Sequence, residues 1–496
     1  MALSSILIFI LFGLLTRLLL RGRLEPARPW VLFLASALAV YALQPATPIR
    51  YLDYWLPTLT LALAALGWAL TAKREAGASA LALWRANWQT AAALGGLALL
   101  VALTRYLGDA GLLTPSRPPA IEQALIAVAL AALLAFLALR AGWGALPRFH
   151  RLLWAVIGLL VALLVLIISP PLAQSVAAGL RSLMDQSTAL AAATDLRWLG
   201  FSYVAFRLVH TLRERQNGRL PAVSLREYLT YVIFYPAFTA GPIDKIDRFV
   251  KDLRRPLTER NAPADWAAAG QRLALGLLKK FVVADGLALV ALNASSAAQV
   301  QGAGWAWLLL YAYALQIYFD FSGYTDIAIG LARLVGIALP ENFNAPYLKP
   351  NLTQFWNSWH MTLTNWVRAY YFNPVNRWLR TRKLRREGRE PLAISPTAIL
   401  FFTQVTTMLL IGLWHGVTLN FAIWGAWHGL GLFVQNRFSE WMRPRYESLE
   451  TRPRLHTAVT ALTTLLTFQY VALGWVWFAL PDPSLAGNLF AKLFGR

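Results

Sequence analysis

The chain has 496 residues, of which 57% are hydrophobic and only 14% are charged, and its mean hydropathy is +0.48. Soluble domains carry about 25% charged residues, so the composition indicates a protein whose solvent is lipid. The absence of cysteine excludes disulfides, thiolate nucleophiles and cysteine metal sites. The formal net charge of +22 is typical of basic cytoplasmic loops in a membrane protein and needs no nucleic acid to explain it. A second interpretation of the positive charge is that the basic loops also bind an anionic donor.

Apolar runs recur along the whole chain, and a membrane span needs about 20 predominantly apolar residues. The long runs are 3–20, 120–139, 152–168, 305–321, 394–413 and 458–480. Shorter or more polar runs are 30–43, 55–70, 91–103, 228–239, 266–292 and 421–434. Transmembrane strands would show short alternating runs instead. We therefore predict an all-α, polytopic membrane protein with roughly ten to twelve transmembrane helices plus re-entrant helices.

The chain changes character near residue 195. Residues 1–195 are rich in leucine and alanine, as expected of lipid-facing helices. Residues 196–435 mix polar and aromatic side chains with glycine and proline breaks, and 436–496 hold a basic loop and a last helix. Irregular backbone at membrane depth is tolerated only where it is buried in protein or lines a wet cavity. We predict a single membrane-embedded domain, 1–496, whose C-terminal part encloses a funnel or tunnel.

Basic residues cluster in three loops, 245–260, 377–389 and 437–454. Cytoplasmic loops of membrane proteins carry an excess of Lys and Arg. We therefore predict that all three loops are cytoplasmic and that both termini lie outside. Arg382, Arg385 and Arg386, in the second loop, are candidates for binding an anionic acyl donor, because guanidinium groups pair strongly with phosphates and carboxylates.

Three of the six histidines directly follow a tryptophan: His360, His415 and His428. Two of them lie in an echoed pentapeptide, Gly412-Leu-Trp-His-Gly416 and Gly425-Ala-Trp-His-Gly429, whose glycines permit close approach of a backbone or a ligand. Ionisable groups inside a membrane are costly and suggest function. The alternative is that these are neutral histidines that link helices by hydrogen bonds, and it is strongest for His428.

Imidazole suits proton abstraction near neutral pH. Without a cysteine nucleophile, direct attack of a hydroxyl acceptor on an activated acyl group, assisted by histidine, is the economical chemistry. A Ser-His-Asp triad using Ser322 with Asp320 or Asp326 lacks a nucleophile-elbow pattern. Helix-spaced histidine pairs of the kind that bind metals are also missing from the sequence, so we expect no metal site.

The segment 319–326 (Phe-Asp-Phe-Ser-Gly-Tyr-Thr-Asp) concentrates polar groups in an apolar run. We expect it to break the helix, with Ser322 or Thr325 capping the helix that follows and Asp326 in its first turn. The functional alternative places Asp320, Tyr324 or Asp326 at the cavity, where they would orient a histidine or an acceptor.

Three blocks, 319–349, 354–373 and 412–429, resemble the membrane-bound O-acyltransferase (MBOAT) family, and weaker echoes lie at 240–242 and 276–286. The resemblance is closest to bacterial members that acetylate alginate or transfer D-alanine toward teichoic acids. It implies a catalytic core at 196–435, with His415 as the active-site histidine and His360 as the second one. Supporting or substrate-binding roles are expected for Asp320, Ser322, Tyr324, Asp326, Asn344, Trp359, Trp414, Asn420 and His428. The chain has Asn357-Ser358 and Arg368-Ala369 where the family commonly has basic residues and Arg-Asp.

The resemblance implies transfer of an acyl group, most simply acetyl, from a cytoplasmic thioester to a hydroxyl of an exported polysaccharide or envelope polymer. The donor would be acetyl-CoA or an acyl carrier protein, with no tightly bound cofactor. The partners would be membrane lipid, that donor and an extracytoplasmic acyl-handling or polymer-modifying protein. The expected location is the cytoplasmic membrane. D-alanyl transfer is the alternative chemistry. A transporter, or a non-catalytic scaffold of an export system, is the alternative from another class.

Overall fold

A computed structural model describes residues 3–20, 22–73, 79–108, 113–141, 146–257, 262–386, 389–449 and 451–495. Most of these residues are helical, as the apolar runs predict. The α-helices, numbered along the chain, are α1 Leu3–Leu19, α2 Arg28–Ala42, α3 Leu52–Thr71, α4 Ala80–Leu103, α5 Ile121–Ala141, α6 Leu146–Ile168, α7 Pro170–Leu183, α8 Phe201–Gln216, α9 Leu225–Val232, α10 Ile246–Arg254, α11 Ala262–Leu277, α12 Asp285–Ala288, α13 Ala294–Gln299, α14 Ala303–Leu334, α15 Leu352–Trp356, α16 Met361–Val367, α17 Asn373–Thr381, α18 Pro396–His415, α19 Leu419–Leu449, α20 Pro453–Ala479 and α21 Pro483–Leu493.

Shorter segments connect these helices. The 3₁₀ turns are Gly22–Ala27, Thr104–Tyr106, Thr188–Leu190, Ala193–Asp195, Tyr235–Ala237 and Pro346–Leu348. Two π-helical turns, Leu278–Ala284 and Arg368–Phe372, interrupt otherwise α-helical stretches. In the basic loop after α17, β1 (Lys383–Arg386) pairs antiparallel with β2 (Arg389–Ala393), a small hairpin that the sequence analysis did not predict.

Six helices among the described residues are long and apolar enough to cross a membrane, by length and composition. They are Leu52–Thr71, Ala80–Tyr106, Ile121–Arg140, Phe149–Ile168, Pro396–His415 and Pro453–Ala479. The prediction of an all-α, polytopic membrane protein is therefore confirmed. The number of ten to twelve crossings stays a prediction.

The chain forms two compact units. The first contains Met1–Leu273 and Ile327–Pro340, and the second contains Ala274–Asp326 and Glu341–Arg496. In the first unit, Arg181 pairs with Asp195 at 2.8 Å, with both side chains buried. Residues of the predicted core, 196–435, belong to both units. The boundaries of that core therefore stay a prediction.

In the second unit, α18 and α19 pack at backbone distance. A Cβ at Gly425 would come within 2.6 Å of the Met408 carbonyl oxygen, and a Cβ at Gly412 would meet the carbonyl oxygen of Phe421. Small residues promote such close contacts between helices in membranes. The glycines of the echoed pentapeptides therefore serve the contact between these two helices.

The predicted helix break at 319–326 is wrong, because α14 runs without interruption from Ala303 to Leu334. Gly323 does not end the helix. It lets the π-helical turn Leu278–Ala284 approach, since a Cβ there would lie 2.8 Å from the Lys280 nitrogen and 2.9 Å from the Gly276 oxygen. Ser322 and Thr325 are accordingly buried mid-helix residues and not caps.

Candidate active site

A cavity of about 150 Å³ lies inside the second unit. A water needs about 10–15 Å³ of such space, so the cavity admits groups larger than water. Residues from α14, α15, α16, α18, α19 and α20 and from the turn before α16 line it: Ile317, Asp320, Phe321, Trp356, Trp359, His360, Leu363, Thr364, Ile411, His415, Trp424, Trp475 and Phe478. The two histidines that the sequence analysis ranked highest therefore share one cavity.

His415 is the last residue of α18. Aromatic rings surround it, with centroid distances of 4.6 Å to Trp414, 4.7 Å to Phe478 and 5.7 Å to Trp424. The residue is nevertheless exposed. Since His415 lines the cavity, its exposed surface faces that space. An imidazole held between aromatic rings and open to a cavity has the access that a general base requires.

His360 is buried, with 4% of its surface exposed, and it precedes the first residue of α16. Its backbone is left-handed, with φ +43° and ψ 50°. Non-glycine residues adopt this region at a cost of about 1–3 kcal/mol and only where the surroundings determine it. Here the neighbouring chain supplies that support, because the Met361 amide donates to the Asn342 carbonyl at 2.9 Å and the Asn344 amide donates to that of Ser358 at 3.0 Å.

The Asn342 side chain orients the His360 ring. Its Oδ1 accepts from the Thr362 amide at 3.2 Å and from the Thr362 hydroxyl at 2.7 Å. A backbone N–H can only donate, so the atom facing it is the amide oxygen. The His360 Nδ1, 3.2 Å from the same oxygen, must therefore carry a proton. The neutral ring then keeps its lone pair on Nε2, which makes no hydrogen bond among the described residues.

Asp320 also lines the cavity and forms an ion pair with Lys280. Six residues further on, Asp326 pairs with Lys279 at 2.7 Å. Asp326 is buried, whereas the Asp320 side chain is 48% exposed. Both lysines lie in the π-helical turn Leu278–Ala284, and π-turns frequently occur at functional sites. The two carboxylates therefore pair with lysines of this π-helical turn, whose role the sequence analysis did not recognise.

The other predicted supporting residues fall into two groups. Trp359 lines the cavity and packs on Trp475, with ring centroids 5.2 Å apart, and Trp414 contacts His415. The lining of the cavity does not include Ser322, Tyr324, Asp326, Asn344, Asn420 or His428.

Within that second group, Asn344 is exposed, and Asn420 donates to the Leu480 carbonyl at 2.5 Å. His428 is fully buried in the middle of α19, with its ring centroid 5.0 Å from Trp424 and 5.1 Å from Trp356. Both tryptophans line the cavity, so His428 lies behind its wall. Neither ring nitrogen of His428 makes a hydrogen bond among the described residues, so the expected hydrogen-bonded link between helices is not seen, and its supporting role stays a prediction.

The predicted donor-binding arginines are only partly described. Arg382 is exposed and stacks on Trp378, with its guanidinium carbon 4.7 Å from the ring centroid. The side chains of Arg385 and Arg386 lie outside the described residues. Their role stays a prediction.

A second cavity, of about 190 Å³, adjoins the first. Trp356, Thr364 and Ile411 line both. Six of the nine remaining lining residues carry a polar group: Thr353, Asn357, Arg368, Gln404, Thr407 and Asn436, beside Phe372, Met408 and Leu432. Arg368 donates to the Asn357 side-chain oxygen. Asn357, a departure from the family pattern, and Arg368, next to the departure at Ala369, therefore meet in this cavity.

No group of three or more His, Asp and Glu residues within the described ranges is arranged to hold a metal ion. The cavity lining offers two histidines, one carboxylate and several aromatic side chains.

The family model of the membrane-bound O-acyltransferases matches residues 152–473. The chain belongs to this family. The match includes the cavity-lining parts of α14, α15, α16, α18 and α19 and ends within α20, before Trp475 and Phe478. It confirms the resemblance based on the three blocks.

The chain is also similar to curated proteins whose activities are named. The probable alginate O-acetylase AlgI of Pseudomonas fluorescens is 33% identical over 298 residues, which are 60% of this chain and 54% of the relative. The teichoic acid D-alanyltransferase of Bacillus subtilis is 31% identical over 289 residues, 57% of this chain and 69% of the relative. The peptidoglycan O-acetyltransferase of Helicobacter pylori is 33% identical over 278 residues, 54% and 46% respectively. The matched region spans about half the length of the alginate relatives.

Several residues of the site were missed by the sequence analysis. Asn342 and Lys280 lie in the blocks that resemble the MBOAT family, but nothing in their spacing reveals that they contact His360 and Asp320. Two adjacent lysines in an apolar run, Lys279-Lys280, were a signal, because buried lysines need carboxylate partners. The aromatic residues Trp424, Trp475 and Phe478 could not be distinguished from ordinary core residues.

Proposed function

We propose that this protein is a membrane O-acyltransferase that moves a short acyl group, acetyl in the first instance, from a cytoplasmic thioester to a hydroxyl of an exported polysaccharide or envelope polymer. The observation that carries the proposal is the placement of His415 and His360 on one cavity of a membrane-embedded unit. Membership of an acyltransferase family and relatives named as acetyl and D-alanyl transferases support the reaction class.

In the proposed reaction, His415 takes the proton of the acceptor hydroxyl while that oxygen attacks the thioester carbonyl. The new C–O bond forms, the C–S bond breaks, and the imidazolium returns its proton to the departing thiolate. A positioned general base contributes typically about 10²–10⁴-fold. His360, with its lone pair on Nε2, would position the acceptor by accepting a hydrogen bond from a second hydroxyl of that molecule.

The adjoining polar cavity supports a route for the donor. Acetyl-CoA and acyl carrier proteins present the thioester on an arm that contains amide groups, and the polar lining offers partners for amides. Gln404 Oε1 and Thr407 Oγ1 are buried there and make no hydrogen bond among the described residues. We propose that this protein lies in the cytoplasmic membrane and that the donor enters this cavity from the cytoplasm. The acceptor would arrive from the other side, together with an extracytoplasmic acyl-handling or polymer-modifying partner.

D-alanyl transfer is the second candidate, favoured by the similarity to the Bacillus subtilis D-alanyltransferase. Purified protein in proteoliposomes separates the two, with radiolabelled acetyl-CoA or a D-alanyl carrier protein supplied on one side and acceptor oligosaccharides on the other. Transfer from acetyl-CoA that requires His415 supports the proposal, and transfer from the D-alanyl carrier alone supports the second candidate. No transfer from either donor, with intact protein, would favour a transporter or scaffold.

A further inference from the structure

A basic pocket lies at one end of the first unit, where the loops beside α3, α4, α5 and α7 meet. Thr47, Pro48, Ile49, Arg50, Tyr51, Arg105, Ser116, Arg117 and Gln186 line it. Arg50 precedes α3, Arg105 follows α4 and Arg117 precedes α5. Three separate loops thus contribute one arginine each to the lining of the same space.

The hydrogen bonds of these loops hold the pocket together without neutralising it. Arg105 donates to the Pro118 carbonyl at 2.6 Å, and the Arg50 amide donates to Gln186 Oε1 at 3.0 Å. Asp53 is buried, and its two oxygens accept from the amide and hydroxyl of Ser116, each at 2.7 Å. Among the described residues no ion pair joins any of the three arginines to a carboxylate. The pocket therefore presents positive charge to an incoming anion.

An apolar groove runs along the same three helices. It is lined mainly by small and aliphatic residues: Tyr41, Thr58, Leu61, Ala62, Ala65, Trp68, Trp84, Ala91, Leu94, Gly95, Ala98, Val128, Ala131, Ala132, Ala135 and Leu225. Only 22% of the membrane-crossing window in α4 and 11% of that in α5 is buried inside the structure. The groove therefore borders helices that face the bilayer.

The pocket lies beyond one end of the groove. At 1.5 Å per residue, the groove residues on α3 and α5 begin about 10 Å from the helix ends that carry the arginines and extend to about 20–25 Å. Half of a hydrocarbon core of about 30 Å is about 15 Å deep. The acyl chain of a lipid whose headgroup lies in the pocket would therefore reach the near end of the groove and not its whole length.

We propose that this pocket and groove bind an anionic phospholipid, with the phosphate on Arg50, Arg105 and Arg117 and an acyl chain along α3, α4 and α5. The arginines provide the selectivity, because apolar contacts in a groove gain little over those in the bilayer. Guanidinium pairs well with phosphate oxygens, and basic pockets between transmembrane helices bind anionic headgroups.

Native mass spectrometry of the full chain tests the proposal, with phosphatidylglycerol and phosphatidylcholine of identical acyl chains supplied in equal amounts. Wild-type protein should retain phosphatidylglycerol preferentially. The double variant Arg50→Gln/Arg117→Gln, which keeps the contact of Arg105 with Pro118, should lower that preference on the order of tenfold. Arg197→Gln, an exposed arginine outside the pocket, is the control and should leave it unchanged.

A second arm tests the groove. Ala65→Leu/Ala132→Leu fills it with apolar side chains and should reduce retention of both lipids at this site. Glycerol phosphate, which has the headgroup chemistry without the chain, should compete weakly. A double arginine variant that keeps the full preference would overturn the proposal, as would an equal loss in Arg197→Gln. Displacement of the lipid by an acidic oligosaccharide at lower concentration than by glycerol phosphate would mean that the pocket binds a polymer instead.

Discussion

Asn342 accepts the Nδ1–H of His360 at 3.2 Å, and this contact decides which ring nitrogen of the histidine keeps a lone pair that can accept a hydrogen bond. The Thr362 amide donates to the same oxygen and so prevents the Asn342 amide from turning over. His360 consequently has its tautomer set by a neighbour 18 residues earlier in the chain.

Replacement of Asn342 tests this arrangement. Asn342→Leu removes the acceptor, so the ring loses its fixed tautomer, and ¹⁵N spectra of labelled histidine should show a mixture of tautomers at His360. Asn342→Asp keeps an acceptor oxygen and should restore the Nδ1–H form. Acyl transfer should fall with Asn342→Leu by about tenfold or more, in the range of lost supporting contacts, and recover in part with Asn342→Asp. Unchanged spectra in Asn342→Leu would contradict a positioning role.

His415→Ala should lower turnover in proteoliposomes by about 10²–10⁴-fold, the contribution of a general base. The protein should still insert and purify as a monodisperse species, since the substitution removes a side chain that faces the cavity. His456→Ala, at an exposed histidine outside the cavity, is the matched control and should keep wild-type turnover. Near-normal transfer by His415→Ala would remove this residue from the proposed mechanism.

The two lysine–aspartate pairs should respond differently to loss of the cation. Lys279→Met leaves the buried carboxylate of Asp326 without its lysine and should cost about 3–5 kcal/mol of unfolding free energy, as for a broken buried pair. Lys280→Met affects the half-exposed Asp320 and should cost at most about 1 kcal/mol, while it changes transfer, because Asp320 lines the cavity. Thermal unfolding and transfer assays on both variants check this contrast. An equal loss of unfolding free energy in the two variants would show that the exposure of the carboxylate does not determine the cost of losing its lysine.

Loss of positive charge in the 377–389 loop should raise the apparent KM for the donor. The variant Arg382→Gln/Arg385→Gln/Arg386→Gln removes three candidate contacts to phosphates or carboxylates, and added salt should reduce the difference from wild type because salt screens exposed charges. Steady-state kinetics at low and high ionic strength measure it. An unchanged KM at low ionic strength would mean that the loop serves topology alone.

Topology can be mapped without background, since the chain contains no cysteine. Arg380→Cys, in α17, should react with a membrane-impermeant maleimide only from the cytoplasmic side. Gln299→Cys, at the end of α13 and likewise not fully buried, is the control: it shows that the maleimide reacts with a cysteine placed outside the basic loops. Labelling of Arg380→Cys from outside would reverse the predicted orientation.

The sequence predicted the helical membrane architecture well, because long apolar runs have few alternatives in lipid. The six long runs coincide with α1, α5, α6, α14, α18 and α20, which they exceed by at most two residues at an end. Of these helices, α5, α6, α18 and α20 are long and apolar enough to cross a membrane. It also selected the two histidines that meet at the cavity, because ionisable residues stand out against an apolar background. It failed at 319–326, where polar residues and Gly323 suggested a break. There the π-helical turn supplies lysines and a close backbone contact, and both depend on a segment about 40 residues away.

Asn342 illustrates the same limit. An asparagine between glutamate and phenylalanine carries no signal for a histidine at position 360, since their contact depends on how two loop segments lie side by side. The left-handed backbone of His360 is equally invisible in the sequence, because histidine adopts it only under tertiary constraint.

The backbone contact between α18 and α19 has a mechanical consequence for His415. At Gly412 and Gly425 the two backbones are too close for a side chain to lie between them, which hinders sliding of one helix along the other. His415, at the end of α18, is therefore carried by two helices, α18 and α19, that resist movement relative to each other. A reaction cycle built on this frame would leave the imidazole nearly stationary and require the acyl donor and the hydroxyl to travel to it.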